Sequence, residues 1–150
     1  YEIGSGLVGS EMCIRDRVLG VKFTAGDFYL LERLKKAYPN HLIWAGFDEM
    51  MLPAASLGVD GAIGSTFNVN GVRARQIFEL TKAGKLKEAL EIQHVTNDLI
   101  EGILANGLYL TIKELLKLEG VDAGYCREPM TVKATDAQLA RAKELKAKYL

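Results

Sequence analysis

The segments VLGVKF (18–23), HLIWAG (41–46) and GAIGS (61–65) are three short apolar runs, and a longer amphipathic segment follows each of them. In the longer segments, apolar residues recur at the spacing of one helix face. Strand and helix candidates therefore alternate, as they do in the βα repeats of a parallel sheet. The sequence predicts an α/β fold over residues 18–83. The three helix candidates cover 26–38, 48–58 and about 69–83.

The pattern changes after the third βα unit, where no further strand candidate follows. One apolar stripe predicts a long helix that breaks at Asn106-Gly107, and a second predicts a shorter helix after it. Thr135 and Gln138 have the spacing of a capping box, which would open a last helix. Residues 84–150 are therefore predicted to form a helical extension. The stripe of the long helix consists of Leu86, Leu90, Val95, Leu99 and Ile103.

The first 17 residues, YEIGSGLVGSEMCIRDR, have neither helical nor strand periodicity. The stretch is similar to translated sequencing-adapter DNA. We expect it to be a non-native leader, and the natural protein to be longer than this chain; the alternative is an irregular N-terminal arm.

Composition narrows the class of protein. The formal net charge is zero, so nothing electrostatic favours a nucleic acid or an anionic membrane as a partner. The apolar runs are too short to span a bilayer. The two cysteines, Cys13 and Cys126, have no metal-ligand spacing and fit a reducing compartment. We predict a cytoplasmic enzyme or binding protein without a metal site.

Polar residues cluster where the predicted strands end, and the carboxyl ends of parallel strands share one edge of a sheet. Lys22 lies inside a run that a parallel sheet would bury, and a desolvated lysine tends to be the neutral amine that attacks ketones. The alternative is a lysine that reaches out to solvent. The other candidates at the strand ends are Thr24, Gly46, Asp48, Glu49, Gly64, Ser65 and Thr66.

Each of the other candidates also has two interpretations. Asp48 and Glu49 could stabilise a helix dipole or accept hydrogen bonds from the hydroxyls of a polyol. The Gly64–Thr66 segment could be a turn with an N-cap, or it could offer donors to an anion. His41 and His94 have no catalytic partner at useful spacing, and Cys126 is expected to be inert. A solvated face is predicted for Arg73, Arg75, Lys82 and Lys85.

The blocks GVKFTAGD (20–27), AGFDE (45–49) and GAIGSTFN (61–68) resemble, in order and spacing, the last three strand ends of the N-acetylneuraminate lyases. These lyases belong to the same family as the dihydrodipicolinate synthases. The loop GYCREPM (124–130) is also similar to that family's C-terminal segment. The resemblance implies the last three βα units of a (β/α)8 TIM barrel, followed by the helical segment.

The resemblance also implies a reaction, the reversible cleavage of N-acetylneuraminate to N-acetylmannosamine and pyruvate by a class I aldolase. Lys22 would form the Schiff base with pyruvate or sialic acid. The polyhydroxylated part would be held by Thr24, Gly46, Asp48, Glu49 and Ser65. No metal or organic cofactor would be needed, and the full-length parent would be a homotetramer.

The family's carboxylate-binding Ser/Thr pair and its proton-relaying tyrosine lie on earlier strands, so no tyrosine here is given that role. Three strands of an eight-stranded barrel would also have two unpaired edges, so we expect this polypeptide alone to aggregate or stay partly molten and to be inactive. Two other functions stay open: another pyruvate-dependent lyase or synthase, such as a dihydrodipicolinate synthase, and a non-catalytic protein that binds sugar acids.

Overall fold

The computed structural model describes residues 17–130 and 133–150 of the chain. Three parallel strands in the order β1-β2-β3 are followed along the chain by an all-helical segment. The strands are β1 (Gly20–Phe23), β2 (Leu42–Ala45) and β3 (Gly61–Ala62). The helices are α1 (Phe28–Ala37), α2 (Met51–Ser56), α3 (Phe67–Lys82), α4 (Leu86–Asn106), α5 (Leu108–Leu118) and α6 (Asp136–Tyr149).

The βα alternation forms as the sequence predicts, with local differences in length. β3 has two residues, where a five-residue segment was predicted. The helix predicted over 48–58 is divided into a 3-10 turn, Asp48–Met50, and α2. The expected leader, with Cys13, lies almost entirely outside the described residues, so that prediction stays a prediction.

The sheet packs one face against helices. Ile43 and Ala45 of β2 point into a cluster with Leu31 of α1 and Ala54 of α2, all of them buried. On the opposite face of β2, Leu42 is exposed and Trp44 is half-buried. The alternation is that of a strand with one helix-covered side.

The helical segment forms a second core. Leu99 and Ile103 of α4 pack with Leu115 of α5 and Leu145 of α6, and each of these side chains is at most 1% exposed. Gly107, with φ of +98°, ends α4 and starts α5 in a backbone conformation that favours glycine. The capping box predicted at Thr135 is confirmed.

The stripe predicted for α4 is wrong in its first half. Leu86, Leu90 and Val95 are exposed in this chain. The buried face carries two polar residues instead, Gln93 and Thr96. These side chains hydrogen-bond to neighbouring elements, which allows them to be buried at little cost.

The solvated face predicted around Arg73 needs one correction. Arg75, Lys82 and Lys85 are exposed, as expected. Arg73 is half-buried: it donates to Asn70 Oδ1 over 3.0 Å and to the backbone carbonyl of Tyr149. It therefore joins α3 to the end of α6.

Candidate active site

The carboxyl ends of all three strands meet at one edge of the sheet. Beyond the paired strand residues, the Gly46 N–H donates to the Phe23 carbonyl and the Ile63 N–H donates to the Ala45 carbonyl, each over 2.8 Å. The three strand ends are thus held side by side. We call this edge the rim, and define it as residues 22–24, 46–49 and 64–66.

Lys22, Thr24 and Gly46 lie together on the rim. Lys22 is paired in register with Trp44 of β2, and Gly46 directly follows the last residue of that strand. A β-carbon built on Gly46 would lie 1.9 Å from Thr24 Oγ1 and 3.0 Å from Lys22 Cε. The absence of a side chain at Gly46 is therefore what makes room for the other two.

The expectation that the sheet would bury Lys22 is wrong for this chain. Lys22 and the preceding Val21 are both exposed. β1 pairs with β2 on one side only among the described residues, and no opposite wall of strands covers its inner face. Desolvation of the Lys22 amine would therefore require neighbours beyond the described residues.

Asp48 joins the second strand end to the third. Its side chain is buried, and its Oδ2 accepts hydrogen bonds from both the backbone N–H of Thr66, over 2.8 Å, and the Thr66 hydroxyl. A β-carbon on Gly64 would lie 1.4 Å from Asp48 Oδ1, so only glycine fits beside this carboxylate. Asp48 therefore fixes the geometry of the rim.

Glu49 differs from its neighbour. Its side chain is half-buried, and within the described part of the chain its carboxylate has no hydrogen bond or ion pair. Ser65 is also half-buried and lines an open cavity of about 250 Å³ with Tyr109, Lys113 and other residues of α5. Among the described residues, Glu49 and Ser65 thus still have side-chain polar groups available to a ligand.

Two residues behind the rim were missed by sequence reasoning. Gln93 and Asn97 project from α4 and hydrogen-bond to the backbone of the Asp48–Met50 turn and the start of α2. Gln93 lies on the buried face of α4, but a glutamine gives no sequence signal of burial by itself. That face runs through Gln93, Thr96, Ile100 and Ile103, at intervals of three and four residues.

Residues 10–148 match the family model described as the dihydrodipicolinate synthetase family. The chain belongs to this family. The match covers both the βα units and the helical segment, so the two parts are one contiguous piece of the family's sequence.

Among curated relatives, the N-acetylneuraminate lyase of Haemophilus influenzae is 91% identical over 140 residues, which are 93% of this chain and 48% of that protein. The N-acetylneuraminate lyase of Pasteurella multocida is 87% identical over the same share of each chain. The chain thus spans about half the length of these relatives.

Solved structures confirm the predicted fold as part of a TIM barrel. CdNal from Clostridium difficile, crystallised with mannosamine, superposes with a TM-score of 0.89 at 69% identity, over 94% of this chain and 48% of that one. The N-acetylneuraminate lyase of Fusobacterium nucleatum, complexed with pyruvate, gives 0.87 at 64% identity, over 100% of this chain and 52% of that one.

Proposed function

We propose that the complete protein is a class I aldolase that reversibly cleaves N-acetylneuraminate to N-acetylmannosamine and pyruvate. The observation that carries the proposal is the 91% identity to the N-acetylneuraminate lyase of Haemophilus influenzae. The pyruvate and mannosamine bound by two structural neighbours support the same substrate class.

In this proposal, the Lys22 amine attacks the C2 ketone of the sugar acid, and water leaves to give a protonated imine. When the C4 hydroxyl gives its proton to a general base, the C3–C4 bond breaks and C4 leaves as the aldehyde carbon of N-acetylmannosamine. The electrons of the broken bond form a C2–C3 double bond, so that the protonated imine becomes an enamine. Protonation at C3 and hydrolysis then release pyruvate and restore the amine. Lys22 lies next to Gly46 on the rim, and this position is compatible with the role.

The remaining rim residues would hold the polyhydroxylated part of the substrate. Glu49 and Ser65 have side-chain polar groups without partners among the described residues, and Thr24 is exposed next to Lys22. Asp48 already accepts two hydrogen bonds on one oxygen, so any contact it makes with substrate would use the other. The backbone of Gly46 completes the set.

The test uses a chimera in which residues 18–150 replace the matching segment of the Haemophilus influenzae relative. Treatment with pyruvate and borohydride should attach a reduced adduct to Lys22, which mass spectrometry of the peptide detects. Incubation with N-acetylneuraminate should release pyruvate. Lys22→Met should lose both signals without losing the folded state.

The two measurements also separate the alternatives. Another pyruvate-dependent enzyme of the family would label Lys22 but would leave N-acetylneuraminate intact. A non-catalytic sugar-acid-binding protein would bind the acid in a Lys22→Arg variant as well as before, and would show no adduct. Adduct formation on a different lysine would contradict the proposal.

We also propose that the complete protein is a homotetramer in the cytoplasm. The exposed apolar side chains of Leu86, Leu90 and Val95 on α4 support an interface between subunits. Within residues 17–130 and 133–150, no helix is long and apolar enough to cross a membrane. Sedimentation of the chimera measures the assembly state.

A further inference from the structure

Two side-chain amides on α4 form a connected set of hydrogen bonds with the turn that carries Asp48 and Glu49. Gln93 is 4% exposed; its Oε1 accepts from the Leu52 N–H over 3.0 Å, and its Nε2 donates to Asn97 Oδ1 over 2.8 Å. The same Nε2 lies 3.4 Å from the Asp48 carbonyl. Asn97 Nδ2 donates to the Glu49 carbonyl over 3.2 Å. We call Gln93 and Asn97 the amide pair.

The turn depends on this pair because it has little support of its own. Neither the 3-10 turn nor α2 has a side-chain N-cap, so the first N–H groups of α2 need partners from elsewhere. Gln93 supplies one of them. An apolar side chain at position 93 would fill the same space without hydrogen-bonding to the turn. A buried amide is costly unless its hydrogen bonds are made, and those of Gln93 are made with the turn, α2 and Asn97.

The side chains on the turn have unequal freedom. Asp48 is tied to Thr66, so the third strand end already fixes its carboxylate. The Glu49 carboxylate has no partner among the described residues, and the hydrogen bond from Asn97 to the Glu49 carbonyl holds the backbone from which it extends. A small displacement of that backbone would move the carboxylate relative to Lys22.

We infer that the amide pair positions Glu49 and so sets the selectivity of the site for the polyol end of a sugar acid. The inference rests on the proposed aldolase function, since it assigns Glu49 to hydroxyl recognition. Gln93 and Asn97 are positioning residues: they touch the turn and not the substrate.

The test changes Asn97→Leu in the chimera, with Asn97→Ala as a second variant that adds no bulk. The change removes the hydrogen bond to the Glu49 carbonyl and the one from Gln93. KM for N-acetylneuraminate should rise about tenfold, with kcat changed by about threefold or less. Borohydride trapping of pyruvate on Lys22 should be unchanged, because pyruvate lacks the polyol. A 3-deoxy-2-keto sugar acid shortened at its polyol end should show a much smaller rise in KM.

Asn106→Leu is the matched control. Asn106 lies on the same helix, and its side chain also donates to a backbone carbonyl, that of Gln138, over 3.1 Å. This variant should lose stability to a similar extent and keep KM unchanged.

The possible outcomes distinguish failure of the inference from failure of the proposed function. Equal stability loss in Asn97→Leu and Asn106→Leu without a KM change in either would overturn the inference and leave the aldolase proposal intact. An equal rise in KM for the long and shortened acids would also overturn it. Failure of the unaltered chimera to trap pyruvate would instead refute the proposed function, and the inference with it.

Discussion

Asp48 and Glu49 are adjacent carboxylates in different environments. Asp48 is buried and accepts two hydrogen bonds from Thr66, whereas Glu49 is half-buried without a partner in the described part of the chain. The sequence left both residues with two interpretations, dipole stabilisation or ligand binding. The structure adds a third for Asp48, which is to join two strand ends. No local pattern predicts this, because Thr66 is 18 residues away.

Lys22 illustrates what a residue-level pattern can supply. Its position at a strand end follows from the apolar run around it, and the structure agrees. The burial of Lys22 cannot be predicted from that run, because it depends on a strand at the open edge of β1 and on the strands across the barrel. Those are long-range features, and they are absent from the three described strands.

Gly46→Ala tests the packing between Gly46, Thr24 and Lys22. The new methyl group would overlap Thr24 Oγ1 and press on Lys22 Cε, so the amine should leave its position. We expect the rate of pyruvate trapping in the chimera to fall about tenfold or more, as misplacement of a reacting group by about 1 Å can cost that much.

Gly26→Ala is the control for this change, because a β-carbon there would meet nothing within 4 Å and the residue lies in the loop after β1, the strand that carries Lys22. Its trapping rate should equal that of the unaltered chimera. Equal rates in both variants would show that Gly46 is not needed for the position of Lys22.

At the scale of elements, the order of strands and helices could be predicted, but the buried face of α4 could not. Periodicity locates the apolar residues of a helix, so it predicts that Leu86, Leu90 and Val95 lie on the buried face. The structure turns Gln93 and Thr96 inward because the turn after β2 and Asn70 of α3 offer them hydrogen bonds. Such partners come from other elements, so the pattern within one helix does not reveal them.

Asp60 connects three elements and gives a pH-dependent prediction. Its Oδ2 accepts from the Ile43 N–H over 2.8 Å and from Lys35 Nζ over 3.1 Å. The hydrogen bond from Ile43, aided by Lys35, lowers the pKa of Asp60 below its ordinary value of 3.8 despite some desolvation. A depressed folded-state pKa means that Asp60 stabilises the fold above about pH 4, and that this contribution is lost as the pH falls through the folded-state value.

Asp60→Asn should therefore destabilise the chimera by about 1 kcal/mol at pH 7, and by progressively less as the pH falls below 4. Urea unfolding at pH 7, 5 and 3.5 measures the difference in unfolding free energy. Glu91→Gln, an exposed change on α4, should leave stability nearly the same at each pH. A constant difference for Asp60→Asn across the three values would contradict the ionic contribution.

At the scale of the whole molecule, the described sheet has two open sides. β1 pairs only with β2, and β3 pairs only with β2, whereas a closed barrel has no unpaired edge. The apolar side chains near these edges and on the uncovered face of the sheet are correspondingly exposed: Val18, Leu19, Val21, Leu42 and Ile63. A surface of this kind favours association with another chain.

Adding the complementary half of a relative should therefore allow residues 18–150 to fold cooperatively. Alone, they should bind a hydrophobic dye and unfold without a cooperative transition, because the inner face of the sheet has no wall opposite it. Refolded together with the remaining half of the Haemophilus influenzae relative, they should unfold cooperatively and form the pyruvate adduct on Lys22. Calorimetry and mass spectrometry of the mixture measure the two effects.

Lys22→Met in the same mixture separates folding from chemistry, since it should unfold cooperatively without forming an adduct. An unrelated protein of similar size should restore neither property. A cooperative thermal transition of residues 18–150 alone, with measurable release of pyruvate from N-acetylneuraminate, would show that the complementary half is not needed. In that case the sheltered environment of Lys22 would have to come from a second copy of the chain, and activity would then rise with the square of protein concentration.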